Sequence, residues 1–123
     1  MYPEIPLVLK TFGLWASVTR SGGSEPNAGR RLVAWAREAG FRREQLQVTA
    51  TVEVYSSRER REFIASQLAG RLLQTEVGTK AVELGITTRE EMESIADAWK
   101  IWIDDDDAYL GVTSTEILCF KDS

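Results

Sequence analysis

The sequence predicts an α+β fold in a single domain that spans residues 1–123. Four stretches place apolar residues three and four positions apart, which is the spacing of amphipathic helices. Two other stretches are rich in β-branched residues, and the first of them alternates between apolar and polar residues, as strands do. The predicted order along the chain is helix, helix, strand, helix, helix, strand.

The first helix is predicted from the segment that follows Tyr2-Pro3-Glu4. Pro3 and Pro6 suit the first turn of a helix, because an N–H group is not needed there. We expect the helix to end before the loop sequence Ser21-Gly22-Gly23-Ser24. The apolar stripe of this helix comprises Ile5, Val8, Leu9, Phe12 and Trp15.

The second helix is predicted between Asn27 and Gly40. Asn27 is a preferred residue for capping a helix N-terminus, and Gly40 suits the position just past the last turn. We expect Trp15 and Trp35 to belong to the core. The apolar face comprises Ala28, Leu32, Trp35, Ala36 and Ala39.

The first strand is predicted over residues 46–55, because apolar and polar residues alternate there without a break. One face carries apolar side chains, which are Leu46, Val48, Ala50, Val52 and Val54. The other face carries mostly polar ones, which are Gln47, Thr49, Thr51, Glu53 and Tyr55.

Two further helices are predicted after this strand. Ser56 and Glu59 have the spacing of a capping box, and a long helical stretch follows that Gly70 and Gly78 are expected to bend or break. Gly85 is expected to end this stretch. A second capping box, Thr87 and Glu90, opens the last helix, whose apolar side carries Met92, Ile95, Ala96, Trp99 and Ile103.

The last helix is predicted to end in the run Asp104-Asp105-Asp106-Asp107, and the second strand to cover Tyr109 to Lys121. The spacing of the four aspartates does not match a calcium loop, which alternates its ligands and supplies a late Glu. A solvated loop is the favoured interpretation, although acids at a helix C-terminus oppose the macrodipole. Whether the run binds anything stays open at this stage.

Composition and charge exclude several classes of function. The net charge is −4, and the 15 basic residues are interleaved with acidic ones, which disfavours a nucleic-acid partner. The chain has no histidine, so we expect no His-dependent nucleophilic catalysis and no metal site. Cys119 is the only cysteine, and a small buried hydrophobe is favoured over a nucleophile. With no apolar run of about 20 residues and no signal peptide at Met1, we expect no membrane partner and a cytoplasmic location.

An ordered series of segments resembles the C-terminal portion of the UbiE/menaquinone-type branch of class I S-adenosylmethionine-dependent methyltransferases. The series comprises Tyr2-Pro3-Glu4-Ile5-Pro6, Asn27-Ala28-Gly29-Arg30-Arg31-Leu32, Trp35-Ala36-Arg37-Glu38-Ala39-Gly40-Phe41, Val54-Tyr55-Ser56-Ser57 and Ala96-Asp97-Ala98-Trp99. The resemblance covers nearly all of this chain but only about the last half of such an enzyme.

The part of such an enzyme that would hold the cofactor has no counterpart here. The family holds it with a strand, a Gly-rich turn and an acidic residue, whereas Gly22-Gly23 lies between two predicted helices. We therefore expect no cofactor. The resemblance also implies that the two strands pair as an antiparallel remnant of a seven-stranded sheet. Because such a remnant has an unpaired edge, we expect completion by oligomerisation, as a homodimer or larger assembly.

The resemblance implies a substrate pocket at the carboxyl ends of the strands, under the helices that come before the last strand. Glu53 is the candidate catalytic acid, and Tyr55 is the candidate donor to a substrate carbonyl. A solvated Glu53 and a structural Tyr55 are the alternatives, and core packing is the alternative for Trp99. The substrate-binding candidates are Tyr2, Glu4, Ser56, Trp99, Trp102, Asp104 and Tyr109.

Three functions are compatible with this sequence. The first is a small-molecule biosynthetic enzyme that works without S-adenosylmethionine as a cyclase, isomerase or pericyclase. The second is a partner subunit that supplies the missing strands to a separate methyltransferase. The third is a C-terminal, substrate-binding fragment of an ordinary methyltransferase. Neither the substrate nor the reaction follows from the sequence.

Overall fold

The computed structural model describes all residues, 1–123, and confirms an α+β fold with five helices and a two-stranded antiparallel sheet. The first half contains α1 (Pro6–Ser21), α2 (Leu32–Glu38) and β1 (Leu46–Tyr55). Short 3₁₀ turns at Ala28–Arg31 and Arg43–Gln45 precede α2 and β1. The second half contains α3 (residues 58–74), α4 (Glu76–Glu83), α5 (Arg89–Asp104) and β2 (Leu110–Cys119).

The chain falls into two compact units. The first unit comprises Met1–Pro26 and Val54–Leu110, and the second comprises Asn27–Glu53 and Gly111–Ser123. The first unit therefore contains α1, α3, α4 and α5, and the second contains α2 and most of both strands. No helix of the chain is both long enough and apolar enough to cross a membrane.

The core of the first unit is built around two indoles of α5. Trp99 and Trp102 meet edge to face, with ring centroids 5.4 Å apart and planes at 79°. The Trp99 indole donates to the Thr11 hydroxyl on α1, and the Trp102 indole donates to the Tyr2 carbonyl, each at 2.9 Å. Buried aromatic N–H groups thus have partners. Around the two indoles pack Val8, Leu14, Ile64, Leu72, Met92 and Ile95.

Helix α3 is continuous but not uniform. An α-helical segment, Arg58–Ala65, is followed by a π-helical segment, Ser66–Gly70, and by a last α-helical turn, Arg71–Gln74. The Trp15 indole on α1 donates a 3.1 Å hydrogen bond to the Leu68 carbonyl within the π segment. The irregularity lies near Gly70, as predicted, and the long stretch breaks at Thr75, which caps α4.

Gly78 has a role that differs from the predicted bend. A Cβ atom at this position would lie 1.8 Å from the Leu72 carbonyl oxygen and 3.2 Å from the Met92 sulfur. Gly78 therefore lets the start of α4 approach the end of α3 more closely than any side chain would allow. Gly85 ends the helical stretch as predicted, with a φ of +70°.

The observed N-caps of α3 and α5 each lie one residue after the predicted ones. The cap of α3 is Ser57 rather than Ser56, because the Ser57 hydroxyl accepts a hydrogen bond of 3.2 Å from the Arg60 amide. The cap of α5 is Thr88 rather than Thr87, since its hydroxyl accepts from the Glu91 amide at 3.1 Å. Adjacent Ser and Thr residues offer two candidate caps, and backbone direction decides between them.

The second unit contains the two-stranded ladder. The Phe120 amide donates to the Gln45 carbonyl at 2.9 Å, and Thr49 faces Glu116 in the same antiparallel register. Every residue of β1 between Leu46 and Tyr55 is exposed, on both faces. The unit therefore holds very little apolar surface away from solvent, and Leu46 is its one buried hydrophobic residue.

Three predictions for the second unit are wrong. Cys119 is exposed rather than buried, and Trp35 is 41% exposed rather than part of a core. Asn27 makes no side-chain capping bond, and a 3₁₀ turn separates it from α2, which begins at Leu32. Gly40 does follow α2 in the expected left-handed conformation, with a φ of +104°.

Candidate functional site

Three of the predicted substrate-binding residues meet at the start of the chain. Tyr2 and Tyr109 form an isolated antiparallel bridge in which each amide donates to the other carbonyl at 3.0 Å. Side chains of such directly opposed residues lie on the same face, and both rings are about half exposed. Trp102 lies against the same backbone through its bond to the Tyr2 carbonyl. Two accessible tyrosine side chains therefore lie on a backbone bridge that a buried indole also contacts.

Trp99 and Trp102 occupy the core and not a solvent-facing wall. Both indole rings are almost completely buried, and both N–H groups are used within the chain. Phe12 covers Trp99 from α1, with ring centroids 6.3 Å apart. Substrate binding by either indole stays a prediction, and it would require the core to open.

Tyr55 is held between two neighbours at the end of β1. Its side chain is 7% exposed, and its ring stacks on Phe63 with centroids 6.4 Å apart. The Arg60 guanidinium lies 4.6 Å from the centroid of the Tyr55 ring, within the range of a cation–π contact. These contacts fit the structural alternative for Tyr55. The other catalytic candidate, Glu53, lies on the exposed part of β1.

Asp104 faces a cation that the sequence did not single out. The Arg58 guanidinium donates to the Asp104 carboxylate at 2.8 Å and to Glu62 at 3.0 Å. These bonds, the one to Asp104 first, raise the pKa of Arg58 above its usual value. Asp104 is therefore paired within the first unit. Glu4 and Ser56 are exposed at its surface.

Arg61 is a buried residue that sequence reasoning missed. Its side chain is 3% exposed, and its guanidinium donates twice to the Ile103 carbonyl, at 3.0 and 2.9 Å, and once to the Ser56 carbonyl at 2.5 Å. This cation sits at the C-terminal end of α5, where the macrodipole is negative. It offsets the unfavourable placement of the aspartate run. Three arginines occur within residues 58–62, and the sequence pattern does not indicate which of them is buried.

The aspartate run has no arrangement suited to a metal. No group of three or more acidic or cysteine side chains in the chain is placed so that it could hold a metal ion. Asp105 accepts a hydrogen bond of 2.9 Å from the Asp107 amide, which is a turn contact within the loop. Asp106 is fully exposed and lies 3.9 Å from Arg61.

An open groove of about 870 Å³ lies elsewhere in the first unit. Residues from the end of α1, the end of α3, one side of α4 and the first turn of α5 line it. The floor is apolar and includes Leu72, Val77 and Met92, and Gly78 permits the close helix contact beneath it. The polar rim includes Gln74, Thr75, Glu76, Thr79, Lys80, Glu83 and Arg89. None of the predicted site residues lines this groove.

A smaller polar hollow of about 250 Å³ lies in the second unit. Arg42 binds the Asp122 carboxylate through two N–H groups, at 3.2 and 3.3 Å, and the Gln45 amide donates to the Phe120 carbonyl at 2.9 Å. Hydrogen bonds to Asp122 and then Glu44 raise the pKa of Arg42 above its usual value. These contacts fasten the end of the chain beside β1.

The structure therefore brings together Tyr2, Trp102 and Tyr109. Arg61 binds both the Ser56 carbonyl, next to Tyr55, and the Ile103 carbonyl, next to Asp104. The groove of about 870 Å³ was not foreseen, because its walls come from residues that share no sequence motif. No protein-family model, no curated protein and no solved structure matches this chain.

Proposed function

We propose that this chain binds a small apolar metabolite in the groove of the first unit, and that it does so without S-adenosylmethionine. The volume of the groove, about 870 Å³, carries the proposal, because ligand sites commonly measure about 300–1,000 Å³. An apolar floor with polar groups at its rim is the usual composition of such sites. The absence of a Gly-rich strand-to-helix turn from the sequence supports independence from a methyl donor.

The groups around the groove suggest the chemistry of its ligand. Leu72, Val77 and Met92 offer an apolar surface on which a hydrocarbon skeleton would pack. Thr79 and Lys80 lie on α4 beside this surface and could hydrogen-bond to oxygen substituents. Glu76 and Glu83 balance the charges of Lys80 and Arg89. This balance favours a ligand with little net charge, such as an oxygenated polyene or polyketide.

The reaction that we propose for the bound metabolite is a cofactor-free cyclisation, isomerisation or pericyclic step. Such reactions gain most from being held in one reactive conformation, and a shaped groove supplies that without a nucleophile. Neither Glu53 nor Tyr55 lines the groove, so proton transfer there would fall to Lys80 or Glu83. The resemblance to the substrate-binding half of a methyltransferase supports a metabolite as the substrate.

The second candidate is a C-terminal part or partner subunit of a methyltransferase. The sheet favours it, because two strands with exposed faces are marginal on their own and a larger sheet would cover them. In this case, the chain would bind the methyl acceptor and a separate polypeptide would supply the donor site. Activity would then appear only in the presence of that polypeptide.

Ligand titration of a filled-groove variant tests the proposal. Thr79→Trp places an indole in the groove, whereas Ser94→Trp places the same side chain on the exposed side of α5, outside it. We expect calorimetry against oxygenated polyenes and polyketides to show a ligand that binds the wild type and Ser94→Trp, with an affinity at least about 10-fold weaker for Thr79→Trp. Equal binding by all three proteins would place the ligand elsewhere.

A titration with S-adenosylmethionine alone separates the two candidates from ordinary methyl transfer. We expect no heat of binding at millimolar concentrations. Micromolar affinity for S-adenosylmethionine would contradict the proposal. Product formation from a bound metabolite in its absence would favour the cofactor-free enzyme over the partner subunit.

A further inference from the structure

Strand β1 reads almost the same in both directions. Residues 46–54 run Leu-Gln-Val-Thr-Ala-Thr-Val-Glu-Val, with Ala50 at the centre. Thr49 matches Thr51, and Val48 matches Val52. Further out, Gln47 matches Glu53, and Leu46 matches Val54. A strand with this symmetry is chemically complementary to an antiparallel copy of itself.

One long edge of β1 has no strand beside it. The sheet contains two strands, so β2 pairs with one edge of β1 only. The residues between Leu46 and Tyr55 are all exposed, and no helix covers them. The strand itself contains no lysine or proline of the kind with which proteins usually protect exposed strands, and Glu53 is its single charged residue. Arginine side chains bind backbone carbonyls only at the two ends of the edge, Arg43 at Leu46 and Arg60 at Val54.

The outward backbone groups of β1 belong to its apolar positions. The Gln45 carbonyl faces β2, because it accepts a hydrogen bond from the Phe120 amide. In an antiparallel ladder, successive residues direct their N–H and C=O groups to opposite edges. Val48, Ala50 and Val52 therefore direct theirs to the unpaired edge. Ala50 is therefore the centre of the outward backbone donors and acceptors, and it is also the centre of the side-chain symmetry.

We propose that β1 pairs with β1 of a second copy of this chain, antiparallel, about a twofold axis through Ala50. Ala50 would face itself, and Val48 would face Val52 of the other copy, in reciprocal hydrogen-bonded pairs. About six backbone hydrogen bonds would form from Val48, Ala50 and Val52, and the two ribbons would become one four-stranded sheet. The outer carbonyls, of Leu46 and Val54, already accept hydrogen bonds from Arg43 and Arg60 at 3.4 and 3.1 Å. Three or more strands are what a sheet generally needs for independent stability.

The charges favour this register over its neighbours. Each copy has a net charge of −4, so a pairing that brings carboxylates together is disfavoured. About the Ala50 axis, Glu53 lies opposite Gln47, whose amide can donate to the carboxylate. The two Glu53 side chains are then about 20 Å apart, six residues along the strand. A register centred on Glu53 would instead place them face to face.

Proline substitutions at the two outer edges of the ladder provide a matched test. Ala50→Pro removes an outward N–H group without removing a bond to β2, since proline is tolerated at an open edge. Thr113→Pro makes the same change at the outer edge of β2. We expect sedimentation to show a wild-type dimer, a dissociation constant raised about 100-fold or more by Ala50→Pro, and little change for Thr113→Pro. Far-UV circular dichroism checks that each variant is folded.

A cysteine at the axis tests the register without relying on proline. In a Cys119→Ser background, Ala50→Cys would place two thiols on residues whose Cα atoms are about 5.5 Å apart, within reach of a disulfide. We expect mild oxidation to give a covalent dimer from Ala50→Cys and none from Thr113→Cys. The introduced bond should form at protein concentrations where the wild type is dimeric.

Charge substitutions at Gln47 test the same pairing from a side chain. Gln47→Lys should tighten the dimer several-fold at low salt, and Gln47→Glu should weaken it by a similar factor, because both face Glu53 of the other copy. A monomer at all concentrations, a dimer indifferent to Ala50→Pro, or a monomer that pairs only with another protein would each overturn the proposal. This pairing does not depend on the ligand groove, and either can fail alone.

Discussion

The hydroxyl of Thr11 on α1 accepts a 2.9 Å hydrogen bond from the Trp99 indole on α5, and both side chains are almost completely buried. The bond joins residues 88 positions apart in the chain. A buried N–H group without a partner costs about 1–3 kcal/mol, so this hydroxyl favours the observed packing of α1 against α5.

Replacement of Thr11 by valine should therefore destabilise the protein. Thr11→Val keeps the volume of the side chain but removes the acceptor, and we expect the free energy of unfolding to fall by about 1–3 kcal/mol. Urea denaturation measures it. Thr11→Ser retains the hydroxyl and should cost less, about 1 kcal/mol for the lost methyl group. Equal losses for the two variants would show that packing, not the hydrogen bond, matters at this position.

Substitution of Gly78 should be far more harmful than substitution of Gly70. Gly78→Ala would drive a methyl group into the Leu72 carbonyl, and overpacking of this kind costs about 1–3 kcal/mol. Gly70→Ala meets nothing within 4 Å and should stabilise the helix by up to about 1 kcal/mol. Thermal unfolding of both variants gives the comparison. A harmless Gly78→Ala would show that α4 can move away from α3.

Loss of Arg61 should unfold the end of α5 first. Arg61→Met leaves the Ile103 and Ser56 carbonyls without their donor, and we expect a loss of about 2–4 kcal/mol. Arg61→Lys keeps the charge but not the planar fork, and it should lie in between. Arg58→Met, at an exposed ion pair, is the control and should change much less. Hydrogen exchange at residues 100–104 would locate the effect.

The ion pair between Lys10 and Glu91 should make the stability of the fold depend on pH. The Lys10 ammonium, and then the Thr87 hydroxyl, hold the pKa of Glu91 below its usual value. A carboxyl whose pKa is lowered by folding stabilises the fold above its unfolded pKa, and that stabilisation is lost as the pH falls through the folded pKa. The Tm advantage of the wild type over Glu91→Gln should thus be largest near neutral pH and shrink below about pH 4.

Lys10→Met provides the matching measurement. It removes the Lys10 ammonium, which is the main cause of the lowered pKa of Glu91. The Tm difference between Lys10→Met and the wild type should therefore also become smaller as the pH falls. The double variant should be no less stable than the sum of the single changes predicts. A Tm difference for Glu91→Gln that does not change between pH 7 and pH 3 would refute the assignment.

The sequence predicted the elements well where a local pattern decides them. The alternation of residues 46–55 gave β1 its observed bounds, since a period of two needs no knowledge of the rest of the chain. The start of α1 at Pro6 follows from proline chemistry in the same way, whereas Pro3, which was also predicted in the first turn, lies before the helix. The α+β class and the two-stranded pairing are likewise observed.

Burial was harder to predict, because it depends on partners far along the chain. Cys119 and Trp35 are apolar in character, yet the second unit offers nothing to cover them. Arg61 is charged, yet it is buried because it donates hydrogen bonds to the end of α5, more than 40 residues later in the chain. The groove has the same origin, since Gly78 determines its floor through a contact that no spacing rule describes.

The π segment at Ser66–Gly70 has a consequence for how the length of this chain can vary. A single wide turn absorbs one extra residue, so the parts of α3 before and after it keep their alignment. Removal of one exposed residue there, such as Ser66, would let the backbone close into an ordinary α-helix. Ile64 and Leu72 would stay in place. A one-residue deletion, which rotates most helices out of register, should be absorbed at this point.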